Sequence, residues 1–372
     1  MKGASGHDER SRGGPPEEET GRRSAKGKEA TSRTYRTWRD CRASARTRSV
    51  STAALVPETR ALSGDDAWRL LRRIGLVRLM RDSFRRLRVA DGFSHARSLA
   101  FVTSLVAIQG LIGIIGLASV LHKGSISNVI VVAVRRIVPG SAGQVLTAAV
   151  TQAHRVAAQH HYTPLLFGMI GALVTATTAM GQLERGLNRI YGVEQDRRSV
   201  KKYALAFFFA LSVGTLIAVS FVCLMFGRGL LASTHNDVVT TTWDVVRWPL
   251  GLALLAISVT VLFRWTPRRK QPRLSWLAFG AGVAVLLWAL ATIGLGWFYT
   301  SSSSFGSTYG PLAGIVALLV WCLLSSVSLF YGAALAAQLE AVRAGQPVAQ
   351  DARKVVESDP ANVAPDHGLP SA

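Results

Sequence analysis

The chain reads as an all-α membrane protein with six transmembrane helices. Three observations predict this. First, charge-free apolar runs dominate from about residue 98 onward. Spanning the hydrocarbon of a bilayer takes about 20 apolar helical residues. Six runs come close to that length: 98–120, 164–180, 203–226, 248–265, 276–299 and 310–337. The second and fourth are near the lower limit, and the sixth is long enough to tilt. Second, Lys and Arg gather in alternate connections. Arg185, Arg189, Arg197, Arg198, Lys201 and Lys202 follow the second run, and Arg268, Arg269, Lys270 and Arg273 follow the fourth. Only Arg228 and Arg247 follow the third, and none follows the fifth. Basic connections mark the cytoplasmic face, so both termini are expected there. Third, Trp243, Trp248, Trp265, Trp276 and Trp297 fall near the ends of runs, where an aromatic belt places them.

Residues 1–62 are rich in Gly, Ser, Thr, Arg and Glu and show no apolar period. Such a segment buries too little surface to offset its ordering entropy, so a disordered basic cytoplasmic tail is expected. No apolar h-region of a signal peptide occurs among these residues, which leaves membrane insertion to the first internal span. A second disordered cytoplasmic tail is expected over 341–372.

The segment 63–97 is expected to be a basic amphipathic interfacial helix. Leu71, Ile74, Val77, Met80, Phe84 and Leu87 recur at helical spacing, and Ser63 or Asp65 is placed to cap the start. Arg69, Arg72, Arg73, Arg78, Arg81, Arg85, Arg86 and Arg88 fill much of the remaining surface. A helix of this kind lies in the interface with its arginines toward anionic headgroups, each contributing about 1 kcal/mol of attraction. Membrane lipids are therefore the expected partners. The net charge of +21 and the pI near 11.0 would otherwise suggest nucleic acid. About half of the Lys and Arg residues precede Ser98, however, so headgroups rather than nucleic acid are expected to meet them.

The six-span domain is assigned to 98–340. Its one sizeable external segment, about 121–162, holds an apolar run at 126–137 and a second at 144–158. Val145, Ala148, Ala149 and Ala153 are expected on one side of the second run. Between the second and third spans, the stretch Gly181-Gln182-Leu183-Glu184-Arg185-Gly186-Leu187-Asn188-Arg189-Ile190-Tyr191-Gly192 has Leu183, Leu187 and Ile190 at helical spacing. It predicts an amphipathic helix where one span exits and the next begins. Gly310 and Gly314 form a Gly-x-x-x-Gly that lets helix backbones approach closely. That spacing serves packing inside the bundle, with a homo-oligomer contact as the alternative.

Little in the chain suggests catalysis. There is no Walker-type loop, no His-Glu-x-x-His and no Gly-x-Ser-x-Gly. His154, His160 and His161 lack an accompanying carboxylate or thiol, and Cys41, Cys223 and Cys322 are far apart. No cofactor, metal or catalytic residue is expected. The spans offer mainly Gln109, Thr175, Thr177, Thr178, Ser212, Ser258 and Ser325 as polar groups. An intramembrane charge usually marks an ion or proton path, so this composition argues against an ion-coupled transporter.

Two stretches carry a family likeness. One runs from Gly181-Gln182-Leu183-Glu184 through Asn188-Arg189-Ile190-Tyr191-Gly192. The other runs from Tyr309-Gly310-Pro311-Leu312-Ala313-Gly314 through Leu329-Phe330-Tyr331-Gly332-Ala333. Together with His95-Ala96-Arg97-Ser98-Leu99-Ala100-Phe101, they resemble the YihY/virulence factor BrkB family of bacterial inner-membrane proteins, once labelled ribonuclease BN. The resemblance implies a transporter or lipid-handling protein of the envelope rather than a nuclease. It marks Gly181, Glu184, Asn188, Tyr191, Gly192, Tyr309, Gly310, Gly314, Tyr331 and Gly332 as candidate functional or packing residues. It also implies acid and amide side chains late in the last span, where this chain has Ala334, Ala336 and Gln338. The competing expectation is a non-transporting membrane scaffold that acts through its N-terminal tail.

Overall fold

The computed structural model describes residues 55–58, 62–120, 140–159, 162–193, 199–225, 237–301 and 312–345. Tyr309, Gly310, His160, His161, the 126–137 run, residues 1–54 and the tail after 345 lie outside the described residues. Every described element is a helix or a short connection. In chain order these are α1 (Gly64–Ile74), α2 (Leu76–Val89), α3 (Gly92–Val120), α4 (Gly140–Gln159), α5 (Thr163–Ile190), α6 (Ser199–Met225), α7 (Asp237–Trp265), α8 (Leu274–Ser301) and α9 (Leu312–Arg343). Five of them, α3, α5, α7, α8 and α9, are long and apolar enough to cross a membrane. The run expected at 203–226 lies in α6, whose shorter apolar stretch is Phe207–Ile217.

The segment read as one interfacial helix is two. Gly75 has a φ of 84° and separates α1 from α2, a backbone geometry that favours glycine. Ser63 caps α1, donating from its N–H and its hydroxyl to the Asp66 carboxylate at 3.2 and 3.0 Å. The face of α2 that meets the bundle is a second one, beside the apolar stripe read from the sequence. Leu79, Ser83, Arg86 and Leu87 face the bundle, while Val77, Met80 and Phe84 point outward with Leu76 and the remaining arginines. The helix is thus apolar on two sides, and only contact with the bundle decides which side is covered.

The long helices close a ring. In order around it, α5 packs on α3, α3 on α9, α9 on α8, α8 on α7, α7 on α6, and α6 returns to α5. The facing pair α3 and α7 makes no more than marginal contact.

Packing is uneven along the ring axis. At the end bearing the basic connections, α5 is buried nearly all round from Gly181 to Tyr191. There α9 is buried without interruption from Gly332 to Ala341, and α8 buries Trp276, Leu277, Gly280, Ala281, Ala284 and Val285. Towards the opposite end, no residue of α8 after Val285 is buried, and Ile293 and Trp297 are 69% and 73% exposed. Between 165 and 180, Gly168 alone of α5 is buried.

Close backbone approaches hold the packed parts. A Cβ at Gly280 would lie 2.5 Å from the Gly332 carbonyl oxygen, and one at Gly332 would lie 2.4 Å from that of Gly280. Gly168 and Gly113 are in similar contact between α5 and α3. Gly314 abuts Ser141 and Val145 of α4, so its small size serves packing within the chain. On α4 the buried stripe is Ala142, Leu146, Val150 and Ala153. Of the expected stripe, Ala153 belongs to it and Ala148 is exposed. Trp276 departs from the aromatic belt: it is fully buried beneath the α7–α8 connection, whereas Trp248, Trp265 and Trp297 remain exposed.

Candidate functional site

The stretch from Gly181 to Ile190 is the continuation of α5, not a separate helix. Glu184, Asn188 and Tyr191 lie at i, i+4 and i+7, on one face, and all three are buried. Gly192, with a φ of 76°, ends the helix. The N–H of Val193 returns to the Asn188 carbonyl at 2.8 Å and that of Gly192 to Arg189 at 3.1 Å. This is the left-handed glycine termination of a helix, and it turns the chain so that the Tyr191 carbonyl accepts the Val56 N–H at 3.2 Å. Gly186 lets the Phe330 ring approach, since a Cβ there would lie 2.4 Å from it.

The connection between α7 and α8 folds under this helix end. Arg264 donates to the carbonyls of Gln271 and Pro272, which holds the connection in a tight loop. The Asn188 amide oxygen accepts the Arg268 N–H at 2.9 Å. Arg269, expected on the cytoplasmic surface, turns inward. One terminal nitrogen donates to Glu340 Oε1 at 2.5 Å and the other to the Val56 carbonyl at 3.0 Å, while the guanidinium lies 4.7 Å from the centre of the Tyr191 ring. The Arg269 and Glu340 side chains are 2% and 0% exposed.

Arg86 reaches the same place from α2. It was expected among the headgroup-facing arginines, yet it is buried. Its Nε donates to Gln338 Oε1 at 2.9 Å and one terminal nitrogen to the Ile190 carbonyl at 3.5 Å. Burial pulls its pKa down to about 10, against the opposing field of Glu340. Burial also pushes the Tyr191 phenol well above its ordinary range, and the Glu340 charge acts in the same direction. The cluster therefore holds two cationic guanidiniums, one close carboxylate and a neutral phenol. It ties five separate parts of the chain together at one end of the ring.

Of the residues singled out from sequence, Asn188, Tyr191 and Gly192 belong to this cluster, and Glu184 shares its face of α5. Tyr331 and Gly332 flank it. The Tyr331 hydroxyl donates to the Met80 carbonyl at 3.0 Å, fixing α2 against α9. Gly314 lies near the other end of α9, apart from the cluster, and Gly181 is buried in the α5 packing. Sequence reasoning missed Arg86, Arg269, Gln338 and Glu340 as site residues. A signal existed for each helix. Arg86 falls in register with Leu79 and Ser83, and Glu340 follows a run of small residues, Ala333 to Ala337, too compact for a solvated helix end. Among the described residues, no group of three or more His, Cys, Asp and Glu side chains gathers to hold a metal ion.

Long apolar helices sealed at one end by a buried ion-pair cluster define a multi-pass membrane protein of the bacterial inner membrane type. The chain belongs to the virulence factor BrkB family, whose profile matches residues 83–356. It is 27% identical over 258 residues to a ribonuclease-like protein, YfkH, of Bacillus subtilis, a match covering 68% of this chain and 92% of the relative. It is 26% identical over 274 residues to a UPF0761 membrane protein of Chromohalobacter salexigens, covering 71% of this chain and 63% of the relative. A UPF0761 membrane protein of Rhodospirillum rubrum is 31% identical over 174 residues, covering 46% and 39% respectively. Apart from YfkH, the chain spans less than two thirds of these relatives. No solved structure matches the chain.

Proposed function

We propose that this protein handles a lipid of the bacterial envelope, moving it across or within the inner membrane through the interior of a six-span bundle. On this reading α6 is the remaining span, and the basic connections and both termini are cytoplasmic. The observation that carries it is the unevenness of the ring. Packing encloses the helices nearly all round at the basic end, whereas toward the other end α8 buries nothing after Val285 and the close contacts are confined to α3 with α5 and to α4 on α3 and α9. Such a bundle is closed toward the cytoplasm and accessible from the opposite side or from the lipid. Apart from the buried Arg247 of α7 and Glu184 near the end of α5, the buried and half-buried polar groups of the spans are mainly uncharged and partly paired, as in the 2.7 Å bond from the Thr175 hydroxyl to Gln109 and the 3.1 Å bond from the Trp321 indole to Thr292. Acyl chains tolerate a wall of that chemistry, whereas a bare ion would lack compensating charge. The exposed apolar residues of α2, Val77, Met80 and Phe84, with seven exposed arginines on α1 and α2, suit anionic headgroups at the cytoplasmic surface.

The test is lipid translocation in vesicles reconstituted with the purified protein. A fluorescent lipid is distributed in both leaflets and bleached from outside. Protein-dependent bleaching that continues after the outer leaflet is consumed is the expected result. Bleaching that stops with the outer leaflet, with the protein inserted and folded, overturns unassisted lipid movement as the function.

A further inference from the structure

The buried guanidiniums have more donors than the protein satisfies. A guanidinium carries five N–H groups. Arg86 meets two protein acceptors, Gln338 Oε1 and the Ile190 carbonyl. Arg269 meets two, the Val56 carbonyl and Glu340 Oε1, and its Nε–H is buried without an acceptor. Other buried polar atoms at the same connection also lack protein partners: the Thr266 hydroxyl, the Trp276 indole N–H and both ends of the Gln271 amide. The charge is also unbalanced. Among the described residues, Glu340 is the one carboxylate within ion-pair distance of either guanidinium. Glu184 stands seven residues before Tyr191 on α5, roughly 10 Å along the helix axis. Tyr191, with its phenol neutral, contributes no charge.

Buried donors without protein acceptors are usually met by water or by a bound group. Water would satisfy the donors and leave the excess positive charge. Leaving such a charge buried is costly, and a paired anion removes that cost. The planar fork of arginine matches an oxyanion that accepts two parallel N–H bonds. The exposed arginines of α1 and α2 at the same end of the bundle raise the local concentration of anions.

We propose that Arg86 and Arg269 form a binding site for a phosphate-class oxyanion at the basic end of the bundle. The anion completes the cluster that joins α2, the end of α5, the α7–α8 connection and α9. Its source is either free phosphate or the phosphate of a lipid headgroup. The site stands whether or not the bundle moves lipid.

The test uses the full-length protein, stripped of lipid in a neutral detergent and held at constant ionic strength in chloride. Thermal unfolding is followed while inorganic phosphate, or separately a soluble short-chain phosphatidic acid, is titrated in. A saturable rise in melting temperature is expected. A response to both ligands assigns the site to free phosphate, and a response to the phosphatidic acid alone assigns it to a headgroup. The decisive variant is Gln338→Glu, which sets a carboxylate where Gln338 Oε1 now accepts the Arg86 Nε–H. It should melt higher than the wild type without ligand and lose the saturable response. Arg86→Gln should lose the response as well, and Gln338→Glu keeps the test readable should that variant fail to fold. The proposal is overturned if the wild type shows no saturable response to either ligand, or if Gln338→Glu responds as the wild type does. The donors are then hydrated.

Discussion

The Arg269–Glu340 pair offers the sharpest perturbation. Glu340→Gln keeps the shape of the side chain, removes its charge and leaves Arg269 buried without a close carboxylate. Both side chains are essentially inaccessible and their polar atoms stand 2.5 Å apart. Two unit charges about 4 Å apart interact by about 4 kcal/mol at an effective dielectric near 20. Breaking a buried pair by removing one partner costs about 3–5 kcal/mol, and Glu340→Gln should fall in that range. Arg269→Met should cost at least as much, since it also removes the bond to the Val56 carbonyl and the contact with the Tyr191 ring. The double variant Arg269→Met/Glu340→Met should recover much of the loss, because a buried ion pair is often matched by apolar residues of similar volume. The measurement is reversible unfolding in mixed micelles, followed by tryptophan fluorescence in phosphate-free buffer, for the wild type, Arg269→Met, Glu340→Met and their double variant, which close the cycle, with Glu340→Gln measured beside them. A coupling energy of about 2–4 kcal/mol is expected. Single variants that each cost under about 1 kcal/mol, and that simply add, would describe a solvent-screened pair and refute this account of the cluster.

Two other outcomes follow from the geometry. Gly332→Ala should destabilise the bundle by about 1–3 kcal/mol, as overpacking does, because its Cβ would meet the Gly280 backbone and the Ala284 side chain. Gly282→Ala on α8 meets nothing within 4 Å and should be neutral or gain about 0.5–1 kcal/mol from helix propensity; equal effects of the two would contradict the α8–α9 contact. The Asp66 carboxylate accepts from the Ser63 N–H and hydroxyl, and these bonds hold its pKa below the ordinary value. The folded pKa lies below the unfolded one, so the contribution of this cap is present above the ordinary aspartate pKa of about 3.9. It is lost as pH falls through the lower, folded value. The protection factor of the Ser63 amide, its exchange rate referred to the intrinsic rate at each pH, should therefore fall on acidification in the wild type and be low at all pH values in Asp66→Ala. A wild-type profile flat with pH would remove the cap.

The sequence by itself determined the class of this protein. Long charge-free runs have one stable setting, a helix in hydrocarbon, because backbone groups must be satisfied internally there. The same reasoning located α3, α8 and α9 closely and the cores of α5 and α7, although α5 continues to Ile190 and α7 begins at Asp237, and it offered Ser63 as one of two caps. Charge counting read Arg86 and Arg269 as surface charges, since one arginine looks like another until a partner is known. Their partners lie 252 and 71 residues away, at Gln338 and Glu340. Such separations carry no local period. Likewise α2 has apolar residues on two sides, and its periodicity is compatible with either face inward. The Tyr331 bond to the Met80 carbonyl and the Arg86 bond to Gln338 belong to the docked arrangement in which Leu79 and Ser83 are covered and Val77 is not. Trp276 was assigned to the interface by its position at a span end, but the fold of the α7–α8 connection buries it. Local pattern thus set which segments enter the membrane. Contacts between distant segments decided which charges leave water, and those charges make the site.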